Sequence, residues 1–328
     1  MAKHSHNCWA GSQSFNPEID IPDLNGKVCL VTGGNSSLGE ATVTALAKHN
    51  PKMIYLAARS RPRGEAAVSR IKATSAATAE ANIQVLDLDL ASFASIQSAA
   101  ARVIGETDRL DLLQLNGGVG MVPAGTTLEG YELQLGTNYM GHVLLTRLLL
   151  PTMLKTASIP GTDVRIVSMS SIGHKLFAPN KGIVFGELKT DMESHGWTEL
   201  YAQSMLAKAL FAYEFAKRYP RITATSLHPG TVKSGVWNGD KNVNWLIANA
   251  IVKPVVALTG VSNDEGAKTQ LWCSFSKDVK SGCYYEPIGK AGKESKLARD
   301  DALSTALWER TNKELQAYRT AGWADGND

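Results

Sequence analysis

The 328-residue chain is 44% hydrophobic and 20% charged, enough to bury a sizeable core and too apolar for intrinsic disorder. Its 34 basic and 31 acidic residues leave a formal net charge of +3, too even a balance to point to nucleic acid or an anionic membrane as partner. The longest apolar runs, 144–150 and 251–258, are short or interrupted by Arg147, Lys253 and Pro254, so no transmembrane segment is expected.

Residues 1–25 read as a flexible N-terminal tail, because Pro17 and Pro22 break any helix there and no period is visible. The first twenty residues hold no apolar segment of the secretory kind, so a cytoplasmic protein is expected. Order begins with the apolar run Val28-Cys29-Leu30-Val31, a strand stopped by Thr32-Gly33-Gly34. A helical pattern follows over 39–49 and ends at Asn50-Pro51. The alternation then continues: a strand at 53–58, an Ala-rich helix to about 74, a helix end and loop over 73–81, a strand at 83–86, and a helix at 92–104. A strand at 110–115 precedes a long helix at 133–154, then come a strand at 164–168, a helix at 199–219 and a strand at 222–227. Continuous apolar strands separated by helices predict a parallel sheet covered on both faces. With right-handed crossovers this is an α/β fold with a doubly wound, Rossmann-type sheet in a single domain over 26–320. Residues 231–262 break the rhythm with an apolar stretch (Trp245, Leu246, Ile247, Ile251, Val255, Val256). That stretch is either a helical insertion covering a ligand crevice or an ordinary core helix.

The first strand–helix junction reads Thr32-Gly33-Gly34-Asn35-Ser36-Ser37-Leu38-Gly39. A Gly-rich turn there lets backbone N–H groups and the helix N-terminus approach a pyrophosphate. With this turn the chain resembles the short-chain dehydrogenase/reductase family, whose turn reads TGxxxGxG. Thr32, Gly33 and Gly39 match, and Ser37 stands where the middle glycine is expected. The resemblance runs from about Leu24 to Leu315. It includes Asp89-Leu90, which resembles the pair that contacts adenine, and Asn116-Gly117-Gly118, which resembles the strand-four NAG motif. His228-Pro229-Gly230-Thr231-Val232 resembles the motif beside the nicotinamide. Near the C-terminus, Gly282-Cys283-Tyr284-Tyr285-Glu286-Pro287 and Leu307-Trp308 look like the retinol-dehydrogenase-like and fungal-type oxidoreductase branch. The resemblance implies a dinucleotide held by Gly33, Asn35, Ser36, Ser37, Leu38, Arg59, Asp89, Leu90, Asn116, Gly117, Tyr201, Pro229, Gly230 and Val232. No acid follows the second strand before Glu65, and Arg59 stands at its end. A guanidinium suits the 2′-phosphate, so NADP(H) is expected over NAD(H). Arg61 and Arg63 read as solvated loop charges.

The same resemblance implies catalysis by Asn138, Ser171 and Tyr201, with hydride transfer between nicotinamide and a carbonyl or alcohol carbon. Ser170 is read as the neighbour of the working serine. The family carries a Lys four residues after the Tyr, on the same helix face, where its ammonium favours phenolate. Here Met205 occupies that position. Lys208 lies two turns from Tyr201, about 10 Å along the axis, and is expected to be solvent-facing or ion-paired.

Three functions stay open at this stage. The first is an NADPH-dependent reductase of a bulky lipophilic carbonyl compound, with an atypical proton relay and a place in secondary metabolism. The second is a non-redox cyclase or isomerase on a cofactor-bound scaffold, and the third is a non-catalytic NADP-binding interaction protein. A small-molecule substrate is expected, and no nucleic acid. A homodimer or homotetramer is left open, the stripe Leu206, Leu210, Tyr213 suiting either subunit contact or packing on the sheet. His174 is read as a loop cap, and His228 as part of the strand-to-PG transition. Asp191, Glu193 and His195 read as a polar loop. Tyr131, Phe177 and Trp237 are candidates for an apolar substrate wall, or simply packing. Cys8, Cys29, Cys273 and Cys283 lie far apart with no CxxC pair, so neither a disulfide framework nor a metal site is expected.

Overall fold

A computed structural model describes residues 8, 13–232 and 260–318. One eight-stranded sheet forms the centre. Its strands are β1 Val28–Thr32, β2 Met53–Ala58, β3 Ile83–Asp87, β4 Leu112–Leu115, β5 Arg165–Met169, β6 Thr223–Leu227, β7 Tyr284–Glu286 and β8 Lys290–Ala291. The order is β3-β2-β1-β4-β5-β6-β7-β8. All pairs are parallel except β7 with β8. All five positions of β1 are buried, as a strand covered on both faces requires, which is why the sequence shows runs rather than alternation. The chain reverses its direction of travel across the sheet between β1 and β4. Their carboxyl ends therefore open the crevice in which such sheets bind ligands.

The flanking helices are α1 Ser37–Ala47, α2 Arg61–Lys72, α3 Phe93–Glu106, α4 Gly141–Ala157, α5 Trp197–Arg218, α6 Asn263–Phe275 and α7 Asp301–Glu314. One face of the sheet packs with α1, α2 and α6 through Val43, Leu46, Ile71, Leu271 and Trp272. The other packs with α3, α4, α5 and α7 through Ile96, Leu145, Leu210 and Trp308. The last of these helices settles the open alternative for the α5 stripe: Leu206 and Leu210 are fully buried, and Tyr213 Oη donates to Asp301 Oδ1 at 3.0 Å. That stripe packs inside the chain. Among the described residues no helix is long and apolar enough to cross a membrane.

Three expectations are corrected. The helix expected over 133–154 comes in pieces. A short turn, Leu133–Leu135, is capped by the Glu132 carboxylate, a π-helical turn follows at Gly136–Met140, and α4 comes after it. The expected tail over 1–25 is packed in its described part. Phe15, Ile21 and Leu24 are buried against the α1/α6 face, and Asn16 caps a single turn, Pro17–Asp20. Apolar residues spaced 15, 21 and 24 follow no helix or strand period, so the pattern could not show them. Finally, Cys8 and Cys283 form a disulfide across a separation of 275 residues, while Cys29 and Cys273 are free and buried. A bridge across that separation leaves no local spacing signal. Of the expected covering segment 231–262, residues 233–259 lie outside the described residues, as does Trp237.

Candidate active site

The turn after β1 closes on the end of β4. Thr32 Oγ1 accepts from the Gly117 N–H at 2.8 Å, and Asn116 Nδ2 donates to Thr32 O at 2.9 Å. Space there excludes side chains. A Cβ on Gly39 would lie 2.1 Å from Gly33 O, and one on Gly33 would lie 2.8 Å from Gly117 Cα. Ser37 begins α1 with φ +46°, a left-handed backbone that costs a non-glycine residue about 1–2 kcal/mol. The N–H groups of Ser36, Ser37 and Leu38 find no acceptor among the described residues. They therefore present free donors at a positive helix end.

This turn is one end of a cleft of about 360 Å³. Gly33, Ser36, Ser37, Leu38, Asn116, Gly117, Tyr201, Pro229, Gly230 and Val232 all line it, as do Asn138 and Ser171. Asn35, Arg59, Asp89 and Leu90 do not. Asn35 is half-buried in the turn. Arg59 is exposed just after β2. Asp89 follows β3 and accepts from Ala91 N–H at 3.0 Å, and Leu90 is buried in the core. Arg61 and Arg63 are exposed but lie in the first turn of α2 rather than in a loop, and Arg61 pairs with Asp87 at 2.5 Å.

At the other end, Tyr201 on α5 shares a side-chain hydrogen bond with Ser171, just after β5. Burial pushes its phenol up, and the Ser171 bond offsets part of that. Ser171 Oγ also accepts from Gly173 N–H at 3.1 Å. Ser170 turns inward and donates to Met205 O at 2.8 Å. Asn138 sits in the π-helical turn, fully buried. Its side chain accepts from Val119 N–H and donates to Val119 O, both at 2.8 Å, so it fixes the loop that follows β4.

Comparison with known proteins places this geometry. The sequence profile of the family described as short chain dehydrogenase matches residues 27–181. A short-chain dehydrogenase/reductase of Armillaria gallica is 33% identical over 323 residues, covering 95% of this chain and 99% of its own length. Retinol dehydrogenase 11 of Mus musculus is 34% identical, covering 87% of this chain and 85% of its own. A crystal structure of an uncharacterized protein from Mycobacterium paratuberculosis superposes with TM-score 0.68 at 25% identity, over 91% of this chain and 97% of that one. The chain belongs to the short-chain dehydrogenase/reductase family.

In this short-chain dehydrogenase/reductase, Met205 lines the cleft one turn beyond Tyr201, and no cation draws the Tyr201 pKa down. Lys208 departs from expectation. It is 2% exposed, lines the same cleft, and meets no carboxylate among the described residues. Its Nζ donates to Leu115 O at 2.9 Å. Its neighbours Ala207 and Ala209 are buried too. A lysine amid alanines on a helix buried all round was the available signal against a solvent-facing side chain.

His142, His174 and His228 are buried, and burial lowers the pKa of each. His142 Nδ1 lies 2.7 Å from Asn138 O. A carbonyl only accepts, so Nδ1 carries the proton and Nε2 accepts from Thr32 Oγ1 at 2.9 Å. Burial, then Lys208, holds the His142 pKa well below its usual value. His174 Nδ1 likewise donates to Ser171 O at 2.5 Å, and Nε2 accepts from Ser295 N–H at 3.2 Å, which is a loop cap. His228 continues from β6, its N–H on Tyr285 O at 2.9 Å. Burial, then His174, draws its ring down to about 4. His195 lies 3.5 Å from both Glu187 and Glu199, within the polar loop. Of the apolar wall candidates, Phe177 lines the cleft. Tyr131 packs instead, its hydroxyl on Glu314 at 2.9 Å.

Proposed function

We propose that the protein is an NADPH-dependent reductase of a bulky lipophilic carbonyl compound. The observation that carries this reading is one cleft with free N–H donors of a helix start at one end and the Ser171–Tyr201 pair at the other. The cradle fits a dinucleotide: it excludes side chains at Gly33 and Gly39, and its donor set suits a pyrophosphate. Arg59, exposed and without an acidic partner among the described residues, is the group for the 2′-phosphate. When bound, NADPH supplies hydride to the carbonyl carbon. Tyr201, pushed up by burial, stays protonated near neutrality and so donates to a carbonyl oxygen, with Ser171 orienting it. A phenol kept protonated suits reduction rather than alcohol oxidation, which needs a base. Met169, Ile172 and Phe177 give the cleft an apolar side for the substrate.

Titration with NADPH and with NADH, followed by energy transfer from tryptophan, tests the reading. NADPH should bind the more tightly. Arg59→Ala should cut the NADPH preference about tenfold, the loss of one charge-assisted contact. Binding of neither dinucleotide would refute the assignment. The missing cation at Tyr201 favours one second reading, a non-redox rearrangement in which Tyr201 and Ser171 only polarise a carbonyl. Product forming without NADPH consumption would identify it.

A further inference from the structure

Among the described residues Lys208 is the only buried lysine, and its partners do not account for it. An ammonium has three hydrogens, and Leu115 O takes one. His142 Nδ1, 3.4 Å away, offers no lone pair because its hydrogen goes to Asn138 O. Facing Lys208 from α4 there is His142, neutral. From β4 there is the Leu115 carbonyl. From β5 there is the Ser168 hydroxyl, which bonds the carbonyl of Lys208 itself. Met205 and Tyr201 from its own helix and His228 from the end of β6 line the same cleft. Two hydrogens are left for the cleft that Lys208 lines with Tyr201. Burial alone draws its pKa to about 7, so charged and neutral forms coexist near neutrality. The two turns between Tyr201 and Lys208, about 10 Å along the axis, call for water between the phenol and the amine, with the Met205 thioether alongside.

We propose that Lys208 is the proton-storing and positioning residue of this cleft, doing from two turns away what no cation does one turn beyond Tyr201. The inference rests on the reductase reading. In each reduction the Tyr201 hydroxyl gives its proton to the substrate oxygen as the carbonyl carbon receives hydride. The phenolate left behind takes a proton passed through water from the Lys208 ammonium, and the neutral amine takes one from solvent. One hydride and one solvent proton are consumed per alcohol formed.

The test is made on the full chain with NADPH and a lipophilic aromatic diketone as probe. Two readouts are followed: the Lys208 side-chain titration, by NMR of isotope-labelled lysine assigned with Lys208→Met, and the pH–rate profile. Lys208 should titrate near neutrality, and NADPH should move the midpoint upward. Turnover of the wild type should fall as pH rises through this range. Lys208→Met should lose about tenfold or more in turnover, a loss at the low end for an acid–base group, and should lack the break. Met205→Lys combined with Lys208→Met should recover turnover, with the break at higher pH, and circular dichroism checks that each variant is folded. A Lys208 titration unmoved by NADPH, or a wild-type pH break that survives in Lys208→Met, overturns the inference and leaves the reductase reading standing. Absence of energy transfer to NADPH in the wild type overturns the reductase reading itself, and the inference with it.

Discussion

The two ends of the cleft are built on different physics. At the phosphate end, backbone atoms meet backbone atoms: Thr32, Gly33, Asn116 and Gly117 close on one another, and the constraint is the absence of side-chain volume. At the Tyr201 end, side chains of α5 and of the loop after β5 meet across the cleft, and the constraint is chemical identity. The difference shows in how each end absorbs an unusual residue. The phosphate end takes Ser37 only by holding it at φ +46°. The Tyr201 end has Met205 one turn beyond the phenol and buries an amine one turn further on. Steric closure stores its cost in the backbone, and charge placement stores it in desolvation.

The largest effect that sharpens this comparison concerns Lys208. Its pKa falls from 10.5 to about 7 on folding, equivalent to a cost of about 5 kcal/mol for the charged form. The cost is full below about pH 7, where the lysine is charged in both states. It shrinks as pH rises from 7 to 10.5, because only the unfolded chain then holds the proton, and it vanishes above 10.5. Lys208→Met should therefore stabilise the cofactor-free protein at pH 6 by up to that amount, less about 1 kcal/mol for the Leu115 hydrogen bond. The gain should dwindle toward pH 10.5 in denaturant unfolding. A gain that is constant with pH would mean that the amine is not desolvated.

A smaller effect tests whether the Tyr201 end is braced by the distant disulfide. Cys283 precedes Tyr284, whose ring packs edge-on against His174 with centroids 4.9 Å apart, and His174 caps the Ser171 loop. Cys8→Ser should cost about 2–4 kcal/mol, and reduced wild type should match the variant. Dinucleotide affinity, set at the other end, should change little. Unfolded, unreduced protein should show two reactive thiols, Cys29 and Cys273, and finding four would remove the brace.

The same contrast explains what could be read from the sequence. The phosphate end was legible because its signal is local: a strand run, a turn of small residues and a helix start lie within a dozen positions. The parallel sheet was legible for the same reason, each strand being a continuous run. Tyr201, Ser171 and Asn138 were placed by resemblance, and they line one cleft. The burial of Lys208 was signalled only by its alanine neighbours, since it depends on β4 and α4 lying over its face of α5. The Cys8–Cys283 bridge was not legible, because its two halves share only space. The packed 13–25 segment escaped because Phe15, Ile21 and Leu24 follow no period.

The smallest effect bears on the phosphate end alone. In Ser37→Gly the left-handed backbone strain of about 1–2 kcal/mol is relieved, while the freer unfolded chain takes back about 0.5–1. The net is a stabilisation of about 0.5–1 kcal/mol, a rise in Tm of about one degree for a chain of this size. Because Ser37 also lines the cleft, removing its Cβ should let the turn close on a pyrophosphate and raise NADPH affinity a few-fold. The informative alternative is a more stable protein that binds NADPH less well. That outcome would show that the Ser37 hydroxyl donates to the phosphate, so that the strain is retained for binding, and Ser37→Ala would then bind worst, keeping the strain and losing the donor.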